Sequence, residues 1–149
     1  MRKFFSVDLR ADDDTPVSGI TSIIKDRNVC LWIVARSCGL LRYDIREKKT
    51  YIYDDPLLRQ ARVVFCDSAG TIWVGTAGSG LLQLENPYSP NDLKYIRYYH
   101  TSDERSLLDD SISDIVEDKA RGILWIGTHC GLSVLHDKGS CLLYTSDAA

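Results

Sequence analysis

Three copies of one repeat, each centred on a tryptophan, predict an all-β fold for this chain of 149 residues. Trp73 follows Trp32 by 41 residues, and Trp125 follows Trp73 by 52. A period of about 40–50 residues that contains several short strands is typical of a propeller blade. No segment shows a sustained helical period, so we expect very little helix. The sequence therefore predicts an incomplete β-propeller, with about three four-stranded antiparallel blades in an open arc.

The strands within each repeat are separated by residues that favour turns. The first strand ends at an aspartate, the second carries the tryptophan, and a glycine opens the third. Aspartate side chains hydrogen-bond to nearby backbone N–H groups, and glycine adopts a positive φ at no steric cost. Outer strands rich in tyrosine follow at 50–53 and 95–99. The repeated positions are Asp26, Asp67 and Asp118, then Trp32, Trp73 and Trp125, then Gly39, Gly80 and Gly131.

The repeat divides the chain into a leading segment, three blades and a tail. The leading segment contains Arg2-Lys3-Phe4-Phe5, which we interpret as the outer strand of a preceding blade. The extra length of the second interval lies in the region 86–110. The predicted divisions are 1–16 for that outer strand and its link, 17–56 for blade 1, 57–100 for blade 2, 101–140 for an incomplete blade 3, and 141–149 for the tail.

The tail does not continue the repeat. Its sequence, Cys-Leu-Leu-Tyr-Thr-Ser-Asp-Ala-Ala, resembles one reading frame of a transposase adapter used in preparing DNA libraries. We therefore interpret residues 141–149 as non-native and leave them out of the reasoning about the fold.

Composition and charge argue against several classes of function. Hydrophobic residues make up 44% and charged residues 26% of the chain, which is normal for a globular protein. The net charge of −3 does not suit a polyanion partner, so we expect no nucleic-acid binding by this segment. No run approaches the roughly 18 apolar residues needed to cross a bilayer, and no signal peptide is recognisable.

Sequence patterns that carry catalysis or metal binding are not evident. The five cysteines form no C-x-x-C pair, so we expect no zinc site, and the disulfide state stays open. The recurring aspartates favour turns over metal ligands, and Gly75–Gly80 lacks the dinucleotide fingerprint. Alternating apolar neighbours place the tryptophans between blades rather than against sugars. We therefore predict no catalytic residue, no metal and no cofactor in this chain.

The loops at one end of the blades form the predicted ligand-binding face. In an antiparallel meander, the loop between the second and third strands emerges beside the link to the next blade. This rule groups three hairpin loops with the three links, and loops carry most binding residues on such scaffolds. Arginine and histidine there are suited to hydrogen-bond a carboxylate or hydroxyl of a sugar. The candidate ligand-binding residues on this face are Arg36, Arg59, Arg105, Asp110 and His129.

The combined pattern resembles the two-component regulator propeller repeat. It reads Ile-x-x-Ile-x-x-Asp, then Leu-Trp-Ile-Gly-Thr, then Gly-Leu-x-x-x-Asp, and the resemblance is strongest over 95–137. Blade 1 departs from it at Val34-Ala35, where the other blades have Gly-Thr. Blade 2 departs from it at Cys66, where blade 3 has Glu117.

That family builds the sensory region of hybrid two-component sensors common in gut Bacteroidetes. The resemblance implies a periplasmic propeller of an inner-membrane protein, an oligosaccharide ligand, and a histidine kinase elsewhere in the parent protein. The implied partners are the remaining blades of the parent chain and a second copy in a homodimer, and this chain itself is expected not to be an enzyme. Two alternatives stay open: a structural or protein-interaction propeller without a small ligand, and a piece of a propeller enzyme.

Three blades do not close a ring that normally has about four to eight. Unpaired blade faces and strand edges promote aggregation. We therefore predict that this chain is poorly soluble or molten when it is expressed alone. Calorimetry and sedimentation check this, and a sharp two-state melt of a monomer contradicts it.

Overall fold

Three antiparallel sheets follow one another along the chain in a computed structural model that describes residues 1–136. In each sheet the strands are hydrogen-bonded in chain order. Blade 1 contains β1 (Ile20–Lys25), β2 (Cys30–Ala35), β3 (Gly39–Asp44) and β4 (Lys49–Ile52); blade 2 contains β5 (Ala61–Cys66), β6 (Ile72–Thr76), β7 (Leu81–Leu84) and β8 (Tyr95–Tyr98); blade 3 contains β9 (Ile112–Asp118), β10 (Ile123–Thr128) and β11 (Gly131–Leu135).

The predicted all-β architecture is confirmed by sheets of four, four and three strands. The described residues contain one short 3₁₀ helix, Leu58–Gln60, in the link between blades 1 and 2. Within residues 1–136, no helix is long and apolar enough to span a membrane. The predicted non-native tail, 141–149, lies outside the described residues.

The innermost strands of the three blades lie side by side. β1 contacts β5, and β5 contacts β9. The Ser22 hydroxyl on β1 accepts a hydrogen bond from the Val64 N–H at 3.1 Å, and the Thr21 hydroxyl donates to the Arg62 carbonyl at 3.2 Å. These hydrogen bonds run from one sheet to the next and hold the innermost strands of blades 1 and 2 together. The two sheets nevertheless stay separate.

Each tryptophan of the first two blades is buried against the blade that follows. Trp32 and Val34 pack with Val64 and Val74 of blade 2, and Trp32 is fully buried. Trp73 is likewise fully buried, with Ile115, Leu124 and Ile126 of blade 3 in its cluster. The prediction that tryptophan forms the core between blades is confirmed at both positions. Trp125 is only half-buried, because no blade of the described chain covers its side of blade 3.

The departure of blade 1 from the repeat at Val34-Ala35 reflects a change of side-chain size at the interface between blades 1 and 2. Gly75 leaves room for Ile112 of blade 3, since a Cβ at Gly75 would lie 2.5 Å from the Ile112 Cγ2. At the corresponding place between blades 1 and 2, Val34 is the larger residue and Ala61 the smaller, and both belong to the first core cluster. Volume is therefore conserved across the two interfaces, as close packing requires.

The interpretation of Arg2-Lys3-Phe4-Phe5 as the outer strand of a preceding blade stays a prediction, because no such blade is among the described residues. Residues 1–8 have no strand assignment and are exposed or nearly so. Among the described residues, no strand lies beside this segment for it to pair with, and a strand needs a partner for its backbone groups. Leu9 packs with Val17 against the buried Ile33 and Leu41.

A steric test of the repeat glycine is available at Gly80. Its φ is +86°, and an added Cβ would lie 2.1 Å from the Tyr98 carbonyl oxygen, whereas a Cβ at Gly78 meets nothing within 4 Å. We expect Gly80→Ala to lower the free energy of unfolding by about 2–4 kcal/mol. Gly78→Ala in the same loop should change it by less than about 0.5 kcal/mol. Urea denaturation measures both, and equal effects would contradict the close approach at Gly80.

Candidate ligand-binding face

The hairpin loops and the links meet at one end of the blades. The Arg36 N–H donates to the Gly19 carbonyl at 3.0 Å in blade 1, and the Ala77 N–H donates to the Gln60 carbonyl at 2.8 Å in blade 2. The His129 N–H donates to the Ser111 carbonyl at 3.0 Å in blade 3. Each second hairpin is thus bonded to the link that enters its own blade. We call this end of the molecule the upper face.

A threonine at the end of the tryptophan strand closes the hairpin in two blades. The Thr76 hydroxyl donates to the Gly80 carbonyl at 2.7 Å, and the Thr128 hydroxyl donates to the Gly131 carbonyl at 2.8 Å. Ala35 occupies this position in blade 1 and has no hydroxyl, so its hairpin relies on the backbone bond from Cys38 to Ala35. The Gly-Thr pair of the repeat therefore shapes the loops that present the candidate residues.

The structure places the five candidates on the upper face without gathering them into one cluster. The Arg59 guanidinium pairs with the Asp54 carboxylate, and both side chains are largely exposed. The Arg105 guanidinium lies 3.5 Å from the Asp103 carboxylate in the link to blade 3. The remaining candidates are Arg36 and His129, which are exposed, and Asp110, which is half-buried and whose carboxylate accepts the His100 N–H at 2.6 Å.

Arg62 on the innermost strand of blade 2 is a further polar residue near the upper face. Its guanidinium donates to the Ser111 hydroxyl at 3.2 Å, and its side chain is exposed. Thr21 and Ser113 hold the corresponding position in the other blades. Arg62 was not predicted because it lies on a strand, whereas loops carry most binding residues on such scaffolds.

A cavity of about 1000 Å³ lies beside blade 3. It is bounded by the end of β8, the link from Tyr99 to Leu108, and the strand β11. Arg105 contributes to its wall, and the other four candidates do not. This cavity is therefore separate from most of the predicted ligand-binding residues.

The opposite end of each blade contains an aspartate that accepts the indole N–H of the blade's tryptophan. The distance from Trp32 Nε1 to the Asp26 carboxylate is 2.7 Å, and that from Trp73 Nε1 to Asp67 is 2.9 Å. The other Asp26 oxygen accepts the N–H groups of Asn28 and Cys30. The predicted turn role of these aspartates is confirmed, and their role in orienting the tryptophan was not predicted.

The inserted loop between β7 and β8 adds a further donor to Asp26. The Tyr88 hydroxyl donates to Asp26 Oδ2 at 2.5 Å, and the ring packs edge-on to Trp32. Arg42 lies over the Tyr51 and Tyr88 rings at 4.1 and 5.0 Å. Burial alone would raise the pKa of Asp26, but the hydrogen bonds from Tyr88 and Trp32 outweigh it and hold this pKa below its usual value.

Blade 3 repeats this arrangement in a more open form. Hydrogen bonds from Arg121 and Trp125 lower the pKa of Asp118, whose side chain is more accessible than that of Asp26. Within residues 1–136, no group of three or more His, Cys, Asp or Glu side chains is placed to hold a metal ion. We therefore attribute the recurrence of these aspartates to the hydrogen bonds that they accept from the tryptophans.

Comparison with known proteins supports the fold. No protein-family model matches the chain, and no curated protein matches it. Among solved structures, it is similar to the extracellular domain of the putative one component system BT4673 from B. thetaiotaomicron, with a TM-score of 0.71 and 22% identity over 89% of this chain and 17% of that one. The architecture is thus that of a β-propeller segment.

Two further structures show the same likeness. The extracellular domain of the putative hybrid two component system BT3049 from B. thetaiotaomicron gives a TM-score of 0.66 and 21% identity, over 81% of this chain and 17% of that one. A streptogramin B lyase gives a TM-score of 0.56 and 17% identity, over 90% of this chain and 45% of that one. This chain therefore spans less than half the length of each of these structures.

The bond between Asp26 and Trp32 predicts a dependence of stability on pH. Because the pKa of Asp26 is lower when folded, its contribution is present above about pH 4 and is lost as the pH falls through the folded pKa. We expect Asp26→Asn to lower the free energy of unfolding by about 1–3 kcal/mol at pH 7, and the gap from wild type to narrow in acid. Asp118→Asn is the control, and its loss should be smaller because the Asp118 carboxylate is more accessible to solvent. Denaturation at several pH values measures both, and a gap that is constant with pH contradicts this role.

Proposed function

We propose that this chain is part of the extracytoplasmic ligand-sensing propeller of a hybrid two-component sensor, and that the parent protein is a histidine kinase that responds to oligosaccharides. The observation that carries the proposal is the tryptophan-centred repeat, which resembles the sensor repeat and folds into blades. The likeness to two extracellular domains of B. thetaiotaomicron signalling systems supports it. The parent is then an inner-membrane protein with this segment in the periplasm.

The chemistry of the upper face suits a hydroxyl-rich or acidic ligand. Exposed guanidinium and imidazole groups at Arg36, Arg62 and His129 donate hydrogen bonds to hydroxyl and carboxylate oxygens. Arg59 and Arg105 already pair with Asp54 and Asp103, so a ligand carboxylate has to compete with those acids. We therefore expect Arg36 and His129 to contribute more binding energy than the two paired arginines.

Recovery of the complete gene tests the sensor assignment. A downstream membrane helix followed by a histidine kinase domain is the expected result. A secretion signal with no kinase would instead favour a structural or protein-interaction propeller, or an enzyme. The likeness to the streptogramin B lyase keeps the enzyme alternative in view, because one fold hosts unrelated functions.

Substitutions on the upper face test ligand binding in the intact parent protein. We expect Arg36→Ala and His129→Ala each to weaken oligosaccharide binding about 5- to 20-fold, the loss of one or two hydrogen bonds. Arg46→Ala is the matched control, because Arg46 is exposed in the turn at the other end of blade 1. Isothermal titration calorimetry measures the affinities. Unchanged binding in both variants removes these residues from the site.

A further inference from the structure

The innermost strand of each of the three blades contains a β-bulge at the same position of the repeat. The pairing of β1 with β2 passes over Thr21, that of β5 with β6 passes over Arg62, and that of β9 with β10 passes over Ser113. A bulge bends its strand and re-aims the side chain of the extra residue, and bulges are frequent next to active sites. All three residues are exposed near the upper face. We call Thr21, Arg62 and Ser113 the bulge row.

The bulge row is connected from blade to blade by hydrogen bonds. The Thr21 hydroxyl donates to the Arg62 carbonyl at 3.2 Å, which joins blade 1 to blade 2. The Arg62 guanidinium donates to the Ser111 hydroxyl at 3.2 Å, which joins blade 2 to the start of blade 3. The first bulge therefore contacts the second, and the side chain of the second bulge reaches the strand that carries the third.

Two of the predicted ligand-binding residues lie at the ends of this line of contacts. In blade 1 the Arg36 N–H donates to the carbonyl of Gly19, which immediately precedes β1. The stem of the Arg36 side chain lies beside Gly19, since a Cβ added there would be 2.9 Å from the Arg36 Cβ. In blade 3 the His129 N–H donates to the Ser111 carbonyl, and the hydroxyl of the same serine accepts from Arg62. Arg62 therefore connects Arg36 and His129 through blade 2.

The positive charges of Arg36 and Arg62 are not neutralised by a carboxylate. Within residues 1–136 neither guanidinium forms an ion pair, whereas Arg59 and Arg105 each pair with an aspartate. The one side-chain hydrogen bond of Arg62 goes to an uncharged hydroxyl. A guanidinium has five N–H donors in a planar fork that matches the geometry of an oxyanion. Both arginines thus have donors and charge to offer to an anionic ligand.

The acids of blade 3 near the bulge row accept hydrogen bonds from backbone donors. The Asp109 carboxylate accepts the Ser111 N–H at 2.9 Å, and the Asp114 carboxylate accepts the N–H of the residue that follows it at 2.9 Å. The Asp110 carboxylate accepts a backbone N–H of the preceding link at 2.6 Å. The unpaired positive charge is therefore contributed by blades 1 and 2, while the carboxylates of blade 3 are held by the backbone of their own link and strand.

We propose that Arg62 and Arg36 bind the oxyanion of an acidic oligosaccharide at the bulge row, so that the sensor selects acidic over neutral sugars. This selectivity rests on the proposed function, because it takes an oligosaccharide as the ligand. The oxyanion is a uronic carboxylate or a sulfate ester, each of which accepts parallel hydrogen bonds from an arginine fork. The hydroxyls of Thr21 and Ser113 and the imidazole of His129 then contact uncharged hydroxyl groups of the same ligand.

A binding screen of the intact parent protein tests the selectivity. The probes are matched pairs: uronate-bearing oligosaccharides with their carboxyl-reduced counterparts, and sulfated oligosaccharides with their desulfated counterparts. We expect the ligands that bind to be acidic, with affinities at least about tenfold above those of their neutral counterparts, because a hydrogen bond between charged groups is lost in the neutral sugar. The kind of pair that binds identifies the oxyanion, and isothermal titration calorimetry measures the affinities.

Substitution of Arg62 tests which residue reads the charge. We expect Arg62→Gln to weaken binding of the acidic ligand about 10- to 100-fold, and binding of its neutral counterpart less than about twofold. Arg62→Lys keeps the charge without the planar fork and should lie between wild type and Arg62→Gln. Lys25→Gln is the matched control, because it removes a positive charge from an exposed residue at the other end of an innermost strand. It should change either affinity less than about twofold, since solvent screens a charge at that distance.

Failure of the selectivity and failure of the sensing role give different results. Equal affinities within each pair, binding of neutral sugars alone, or equal losses of both ligands in Arg62→Gln overturn the selectivity and leave oligosaccharide sensing in place. A loss in Lys25→Gln as large as that in Arg62→Gln also overturns it, because the effect would then follow from net charge. A parent protein that binds no oligosaccharide of either kind overturns the sensing role and the selectivity together.

Discussion

The hydrogen bond from a tryptophan indole to the aspartate six or seven residues earlier is the constraint on which each blade depends. In blade 1 the Asp26 carboxylate accepts Trp32 Nε1 with one oxygen and two backbone N–H groups of the β1–β2 turn with the other. One side chain thus closes the turn and fixes the plane of the largest core residue. A buried carboxylate persists only where its hydrogen bonds are satisfied, and the donors around Asp26 meet that condition.

The orientation of the tryptophan decides how consecutive blades pack. A fixed ring presents one shape to the next sheet, and the next sheet supplies residues of matching volume: Ala61 opposite Val34, and Ile112 opposite Gly75. The hairpin loop at the other end of the blade depends on the same strand. Thr76, which follows Gly75 at the end of that strand, closes the turn to Gly80. The packing of the core and the shape of the hairpin loops therefore depend on one short stretch of sequence in each blade.

The strands, the turns and the buried tryptophans were predictable because each depends on residues close in sequence. A tryptophan and an aspartate recur in every copy at the positions of Trp32 and Asp26, so their roles follow from the repeat. The position of Tyr88 did not follow, because its contact with Asp26 joins an inserted loop of blade 2 to blade 1 across 62 residues. The strand at 2–5 stays a prediction for a related reason: composition indicates a preference for β-structure, but pairing depends on a neighbouring strand that sequence alone does not place.

The candidate site depends on contacts between blades as much as on its own residues. The Asp110 carbonyl accepts the Gly80 N–H at 2.9 Å, while the Asp110 carboxylate accepts the His100 N–H. The link that enters blade 3 is therefore bonded to a hairpin of blade 2. A ligand that contacts Arg105 or His129 would bear on this junction and alter the free energy of contact between two blades. In the sensor that we propose, such a ligand would couple binding at the upper face to the packing of neighbouring blades.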